Sequence, residues 1–279
     1  MECLQIKRIL CQGLTSVGNS ALKIAVISDI HGNADALGWV LNKVQELSVG
    51  KTVFLGDLLT YGCQPREVLK LLTAYQKENV SVFLKGNHDQ FYFDLASEKA
   101  SLSYAVPEFV LESIYWTYDH LGGQKLETMF DWQESFSVDT LYFAHANPFL
   151  YGDWRYIESP EISIQASDIL KEKGFGVGIF GHSHRQSGIQ ISSNSVCSSI
   201  ENNRLLLGGD ASFILNPGAI GQPRGTGLSF MVLTLSNVEL EVDIYPVKVN
   251  LKNSIALVEQ SSMSLLTKER LISYLGEGS

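Results

Sequence analysis

The chain is poor in the features that mark several classes of protein. Its 279 residues hold only four cysteines, Cys3, Cys11, Cys63 and Cys197, with no CxxC pair among them. That scarcity argues against a disulfide framework or a cysteine-based zinc knuckle and fits reduced thiols in a cytoplasm. No stretch approaches the roughly 20 apolar residues of a membrane span, and the opening "MECLQIKRILCQGLTSVGNSALK" lacks an apolar run of signal-peptide length. The expectation is a soluble, cytoplasmic protein with no membrane partner. Basic residues are in the minority, 21 Lys and Arg against 30 Asp and Glu, for a formal charge of -9. No nucleic-acid partner is expected of a surface of that sign, so attraction for phosphate must be local, and a bound cation is one source of it.

What is present is a series of short, continuous apolar runs. "KIAVISD" (23–29), "TVFLGD" (52–57) and "VSVFLKGN" (80–87) each end in a polar ligand-type residue and predict buried strands. Between them Leu37, Val40, Leu41, Val44 and Leu47, and then Val68, Leu69, Leu71, Leu72 and Tyr75 behind Pro65, recur at helical spacing. The resulting βαβαβ unit makes its strands parallel and gathers their carboxyl ends, with Asp29, Asp57 and Asn87, at one edge. "TLYFAHA" (140–146) and "VGIFGHSH" (177–184) repeat the pattern. Residues 91–135 read as a helical, aromatic insertion capping the site, its rings favoured as core over a base-stacking pocket. After 205 the turn signals predict antiparallel β structure, with 192–203 a polar hairpin loop and the end a short frayed helix. No linker divides the chain. The expected organisation is an extension over 1–22, one domain over 23–250 and a tail over 251–279.

Five of the six histidines, His31, His88, His145, His182 and His184, stand at or just past the ends of the apolar strands. Each of "DIH" and "GHSH" is a weak signal alone, because a strand-end Asp also serves as a helix cap. In order, at the ends of buried strands, they argue for one pocket. Alternation along an extended chain puts Asp29 and His31 on one side, and His182 and His184 likewise. Carboxylate, imidazole and amide oxygen together suit a hard or borderline divalent cation.

With these residues the chain resembles the calcineurin-like metallophosphoesterases, whose D-x-H, G-D, G-N-H-D, lone H and G-H-x-H blocks appear as Asp29-Ile30-His31, Gly56-Asp57, Gly86-Asn87-His88-Asp89, His145 and Gly181-His182-Ser183-His184. Within that superfamily it is similar to the small prokaryotic phosphodiesterase and diadenosine tetraphosphatase-like branch, through "GDLLTYG" and "NPGAIGQPR". The resemblance implies an α/β fold of the α+β kind, a four-layer αββα sandwich with a helical cap insertion. It implies one metal held by Asp29, His31, Asp57 and His184, and a second held by Asp57, Asn87, His145 and His182, with a bridging hydroxide as nucleophile. His88 then serves as the acid for the leaving group. Asn33 and Arg224 are the candidate substrate contacts. The cofactors are two divalent ions drawn from manganese, iron, zinc, nickel and cobalt, with manganese favoured. The substrate is a small, nucleotide-like or other phosphate ester, taken as a diester or a monoester.

Two departures bear on this reading. Thr60 and Tyr61 stand where protein Ser/Thr phosphatases of the superfamily carry an acid and an arginine, which argues against a phosphoprotein substrate and leaves His88 without a known orienting partner. Ala146 and Ala219 replace a usual glycine and serine. The competing readings are a non-catalytic metal-binding scaffold of the same fold, against which His88 counts, and a nuclease, for which no basic groove is visible.

Overall fold

The computed structural model describes residues 21–99, 102–200, 202–225 and 227–276. The expected extension lies outside the described residues except for Ala21 and Leu22, and Cys3 and Cys11 lie outside with it.

The chain opens as predicted. Strands β1 (Leu22–Ile27), β2 (Lys51–Phe54) and β3 (Ser81–Leu84) pair in parallel, Val26 beside Val53 and Val53 beside Val82. The crossovers are helices α1 (Ala34–Glu46) and α2 (Pro65–Glu78). Asn33 starts α1 by accepting the Ala36 N–H at 3.0 Å, which satisfies a donor that the first turn leaves free. Pro65 starts α2, where its fixed φ suits the first helical position. Leu37, Val40, Leu41 and Val44 on α1, and Val68, Leu69 and Leu72 on α2, turn the predicted stripes to the interior.

Next come α3 (Asn87–Ala96), α4 (Glu108–His120), β4 (Trp132–Gln133), β5 (Ser135–Val138), β6 (Leu141–Ala144), α5 (Pro160–Glu172), β7 (Val177–Phe180), β8 (Ser187–Ile191) and β9 (Cys197–Ser199). The chain closes with β10 (Arg204–Leu206), β11 (Ser212–Asn216), β12 (Ser229–Leu235), β13 (Glu239–Pro246), α6 (Lys252–Gln260) and α7 (Leu265–Gly276). One sheet runs β10-β13-β12-β1-β2-β3-β4 and the other β5-β6-β7-β11-β8-β9. Ile24 and Val26 face the gap between the sheets, where they meet Phe143, Ile179 and Leu215. Ala25 and Ile27 face the opposite way, into a core shared with α1 to α4, α6 and α7. A third cluster packs α5 onto the second sheet through Ala166, Leu170, Phe180 and Ile214. The order is therefore helix, sheet, sheet, helix, the αββα sandwich. A strand covered on both faces needs apolar residues at every position, which is why β1 reads as an unbroken run.

The differences from expectation have tertiary causes. β11 pairs antiparallel with β8 but parallel with β7, so the region after 205 is not wholly antiparallel. Residues 192–203 carry β9, which completes a hairpin with β8 around a turn at 192–196. Within 91–135, Phe91 and Tyr92 are buried in the core with Val110 and Ile114 as expected, but β4 joins the first sheet beside β3. The end of the chain is two helices rather than one frayed one. Thr267, Leu271 and Leu275 of α7 are buried, and Glu112 of α4 accepts hydrogen bonds from Ser264 and Thr267.

Leu271→Ala is expected to destabilise the protein by about 2–5 kcal/mol. Leu266→Ala, at a side chain 71% exposed, should stay within about 0.5 kcal/mol. Denaturant unfolding of the two variants measures the difference, and equal midpoints would mean that α7 is not docked.

Candidate metal centre

The strands β1, β2, β3, β6 and β7 deliver their carboxyl ends to one place. There the loops turn sharply: Asp29, His31, Asp57, His182 and His184 all have positive φ, between 44° and 65°. This overturns the expected extended alternation across "DIH" and "GHSH". The side chains still converge, but through left-handed backbone, a region in which Asp and His are several-fold enriched over other non-glycine residues. Each such residue costs on the order of 1–3 kcal/mol unless its surroundings hold it. The surroundings do so by interlocking. Asp29, His31 and Gly32 donate to the carbonyls of Gly56, Asp57 and Leu58, Gly62 donates to His31 O, and Gly221 donates to Asp29 O. A Cβ at Gly86 would run into the Asp57 carboxylate, and one at Gly181 into the Ser28 hydroxyl, so both positions require glycine for close approach.

Two clusters result. In the first, His31 Nε2 and His184 Nε2 are 3.1 Å apart, and Asp29 Oδ1 lies 3.8 Å from the former and 3.3 Å from the latter. In the second, His145 Nε2 lies 3.3 Å from Asp57 Oδ2, 3.2 Å from His182 Nδ1 and 2.9 Å from Asn87 Oδ1. Asp57 Oδ2 is also 3.8 Å from His31 Nε2, which puts this one oxygen between the clusters. All seven side chains are buried.

The outer edges of these groups are already committed. His31 Nδ1 faces Leu59 O, His184 Nδ1 faces Gln222 O, His145 Nδ1 faces Leu55 O and His182 Nε2 faces Trp154 O, at 2.7–3.1 Å. A carbonyl only accepts, so each outer nitrogen carries the hydrogen and each neutral imidazole turns a lone pair inward. The carboxylates follow the same rule. Asp29 Oδ2 accepts from Ser28 Oγ and His182 N, and Asp57 Oδ1 from His88 N, while Asp29 Oδ1 and Asp57 Oδ2 are buried with no partner among the described residues. Lone pairs facing lone pairs repel, and a divalent cation in each cluster resolves the repulsion. The donor set, two carboxylate oxygens, four imidazoles and an amide oxygen, fits such ions. The outer carbonyls supply the orienting contacts that metal-binding histidines use.

Charge effects agree with this crowding. Burial raises Asp29 and Asp57, but nearby imidazoles, led by His184 and His145 respectively, win and hold both well below the usual range. Burial and the neighbouring His184 push His31 down, and burial with His145 takes His182 down to about 3. Burial pulls His145 down, yet the Asp57 carboxylate raises it to about 9, so in the free site a proton on Nε2 answers the same excess of lone pairs. Burial is also the main cause that takes His88 to about 4, with Asp57 opposing it.

His88 is the second residue of α3, so it leaves the chain roughly 100° from Asn87 rather than pointing opposite to it as an extended chain would. Its Nε2 is 3.2 Å from the Tyr61 hydroxyl, and its Nδ1 has no partner among the described residues. Arg224 is half-buried at the rim: Nη1 is 3.4 Å from Tyr156 OH, and the Tyr156 ring stacks on His182 at 4.5 Å. Asn33 does not enter either cluster. Its oxygen caps α1, and it lines a small enclosed cavity between the His31 loop and α6 and α7.

A model of the calcineurin-like phosphoesterase family matches residues 22–186. The chain belongs to that family. Membership makes it a hydrolase of phosphoric esters, and the two clusters match the family's need for divalent ions. An uncharacterized protein of Methanocaldococcus jannaschii, MJ0912, is 28% identical over 91% of this chain and 96% of its own length. The fold is shared with a metallophosphoesterase from Sphaerobacter thermophilus, at TM-score 0.68 and 23% identity, over 92% of this chain and all of that one. It is shared also with hypothetical protein PH1004 from Pyrococcus horikoshii OT3, at TM-score 0.70 and 16% identity, over 90% of this chain and 97% of that one.

Two supporting residues escaped the sequence reading. Asp89, unassigned there, accepts from the backbone N–H groups of Asp57, Leu58 and Gly86, at 2.7, 3.0 and 2.9 Å, and so ties the β2 loop to the β3 loop. Burial and Asp57 push it up to about 7, against three donors that favour its charged form. Asn216 ends β11 as the other polar residues end their strands, a signal that was legible, and donates to Gly181 O and Ser183 Oγ to hold the "GHSH" loop. Asp89→Ala leaves three buried N–H groups without an acceptor. It should lower stability by more than about 2 kcal/mol in denaturant unfolding, and an unchanged midpoint would remove Asp89 from this role.

Proposed function

We propose that the chain hydrolyses a small phosphate ester, nucleotide-like by preference, at a dinuclear centre. Asp29, His31, Asp57 and His184 hold one divalent ion, and Asp57, Asn87, His145 and His182 hold the other. The observation that supports this reading most directly is the inward convergence of lone pairs from four imidazoles and two carboxylates whose outer edges are fixed by backbone groups and, for Asp29, by Ser28 Oγ as well. Bound cations supply Lewis acidity toward a phosphoryl oxygen and lower the pKa of a bound water from about 15.7 to about 7. The protein's own groups do the rest. Arg224 at the rim offers a planar set of donors to the non-reacting phosphate oxygens. His88 donates a proton to the leaving oxygen, a role worth roughly 10²- to 10⁴-fold in rate. Its low proton affinity in the free site follows from burial, and an anionic ester against the ring raises it. The oxygen donors and the lack of a thiolate suit manganese, the ion we favour, and the imidazoles suit iron, zinc and nickel as well.

The chain should take up two equivalents of Mn²⁺, measured by elemental analysis after gel filtration, and His31→Ala should lose one. His88→Ala should keep both ions while kcat falls about 10²- to 10⁴-fold, on whichever of a diester and a monoester the wild type turns over. Arg224→Ala should raise KM by about 10-fold with a smaller change in kcat. Full metal occupancy with no hydrolysis across both ester classes would instead favour the scaffold reading.

A further inference from the structure

Tyr61 occupies a backbone position that a tyrosine does not adopt freely. It follows Thr60, and the two have φ of 67° and 77°, two consecutive left-handed residues without a glycine. Such geometry persists only where the surroundings over-determine it. Here Ser113 Oγ on α4 accepts the Tyr61 N–H at 2.8 Å, and Gly62 N donates to both His31 O and Thr60 O. The result is that the Tyr61 ring, only 8% exposed, stands 4.6 Å from the His31 ring and 4.9 Å from the His88 ring. Its hydroxyl, 3.2 Å from His88 Nε2, makes the one side-chain hydrogen bond of that imidazole among the described residues. Burial raises the phenol well above its ordinary value, so it stays protonated.

We infer that Tyr61 is the positioning residue for His88: its phenol oxygen holds the Nε2 edge of the imidazole, so that Nδ1 is the edge presented to the leaving group. This rests on the proposed role of His88 as proton donor. Nε2–H donates to the phenol oxygen before and after the transfer. In the step itself the Nδ1–H bond of the imidazolium breaks and an O–H bond forms on the leaving oxygen. That oxygen keeps the electron pair of the broken P–O bond, while a water oxygen forms the new P–O bond and gives up one of its protons to solvent. His88 ends neutral with its hydrogen on Nε2, the form that the phenol holds. Without the phenol the packing against His31 and Phe91 remains, but no hydrogen bond among the described residues fixes the tautomer or the edge that faces the leaving group, and misplacement of a reacting group by about 1 Å costs on the order of 10²-fold.

The test is a double-mutant cycle on the manganese-loaded protein. Tyr61→Phe keeps the ring and removes the hydroxyl. It should lower kcat by about 10- to 100-fold, with KM and metal content unchanged and the fold retained. Tyr61→Phe added to His88→Ala should lower kcat no further. A purely structural tyrosine would cost the same factor in both backgrounds, and that result, or wild-type kcat in Tyr61→Phe, overturns the inference. Wild-type rates in His88→Ala would instead overturn the reading of His88 itself. If Tyr61→Phe does not fold, ¹⁵N NMR of the histidines in the wild-type protein decides the point: a protonated Nε2 on His88 supports the inference, and a hydrogen on Nδ1 alone defeats it.

Discussion

The structure depends on one electrostatic constraint: the inward-facing acceptor atoms of two carboxylates, four imidazoles and an amide share a buried space in which, with no cation bound, a proton on His145 is the one charge among the described residues that offsets them. Nothing else local relieves this, because the opposite edges of the rings and carboxylates are tied to Leu55 O, Leu59 O, Trp154 O, Gln222 O, Ser28 Oγ, His182 N and His88 N. A side chain free to rotate would turn its lone pair to water. These are held, and the holding is what turns a repulsive arrangement into a site that selects cations. Cation binding at these clusters would be coupled to folding, since the same contacts that order the loops gather the acceptors that an ion neutralises.

The fold supplies the holding by a division of labour. The strands carry no ligands within their own spans; β1, β2, β3, β6 and β7 are buried on both faces and act as rigid anchors. The candidate ligands stand one to four residues beyond the strand ends, mostly on loops whose backbone is strained and cross-bonded. Asp89 joins two of these loops through three hydrogen bonds, and Asn216 braces a third from the next strand. Strain of on the order of 1–3 kcal/mol at each of five positions would open isolated loops. Anchored between strands that share two large cores, the loops have no cheaper conformation to relax into.

What was legible in the sequence follows from what is local. The β1-to-β3 unit is written in apolar runs and helical stripes, and the convergence of His31, His88, His145, His182 and His184 in their places at strand ends. The αββα layering came from the resemblance, and the three buried clusters bear it out. The left-handed turns were not legible, because "DIH" and "GHSH" read the same on extended chain. The docking of α6 and α7 was missed because their stripes are interrupted by serines and charged residues, and become a face only against α4 and the His31 loop. The role of Asp89 was hidden for a similar reason, since a carboxylate that accepts three backbone N–H groups looks, in sequence, like any acid after a histidine.

The departures at Thr60 and Tyr61 then take on a structural meaning. An acid at position 60 would add a buried negative charge in the loop that follows Asp57. Here Thr60 Oγ1 pairs with Tyr92 OH at 2.7 Å and Tyr61 reaches His88, so neutral hydroxyls take over the contacts of this loop. A neutral partner orients an imidazole without raising its proton affinity as a carboxylate does. Burial is left as the main influence on His88 in the free site. On the proposed reading of His88 as the acid, the charge that arms it comes from the bound ester, and acid catalysis would be coupled to occupancy of the site.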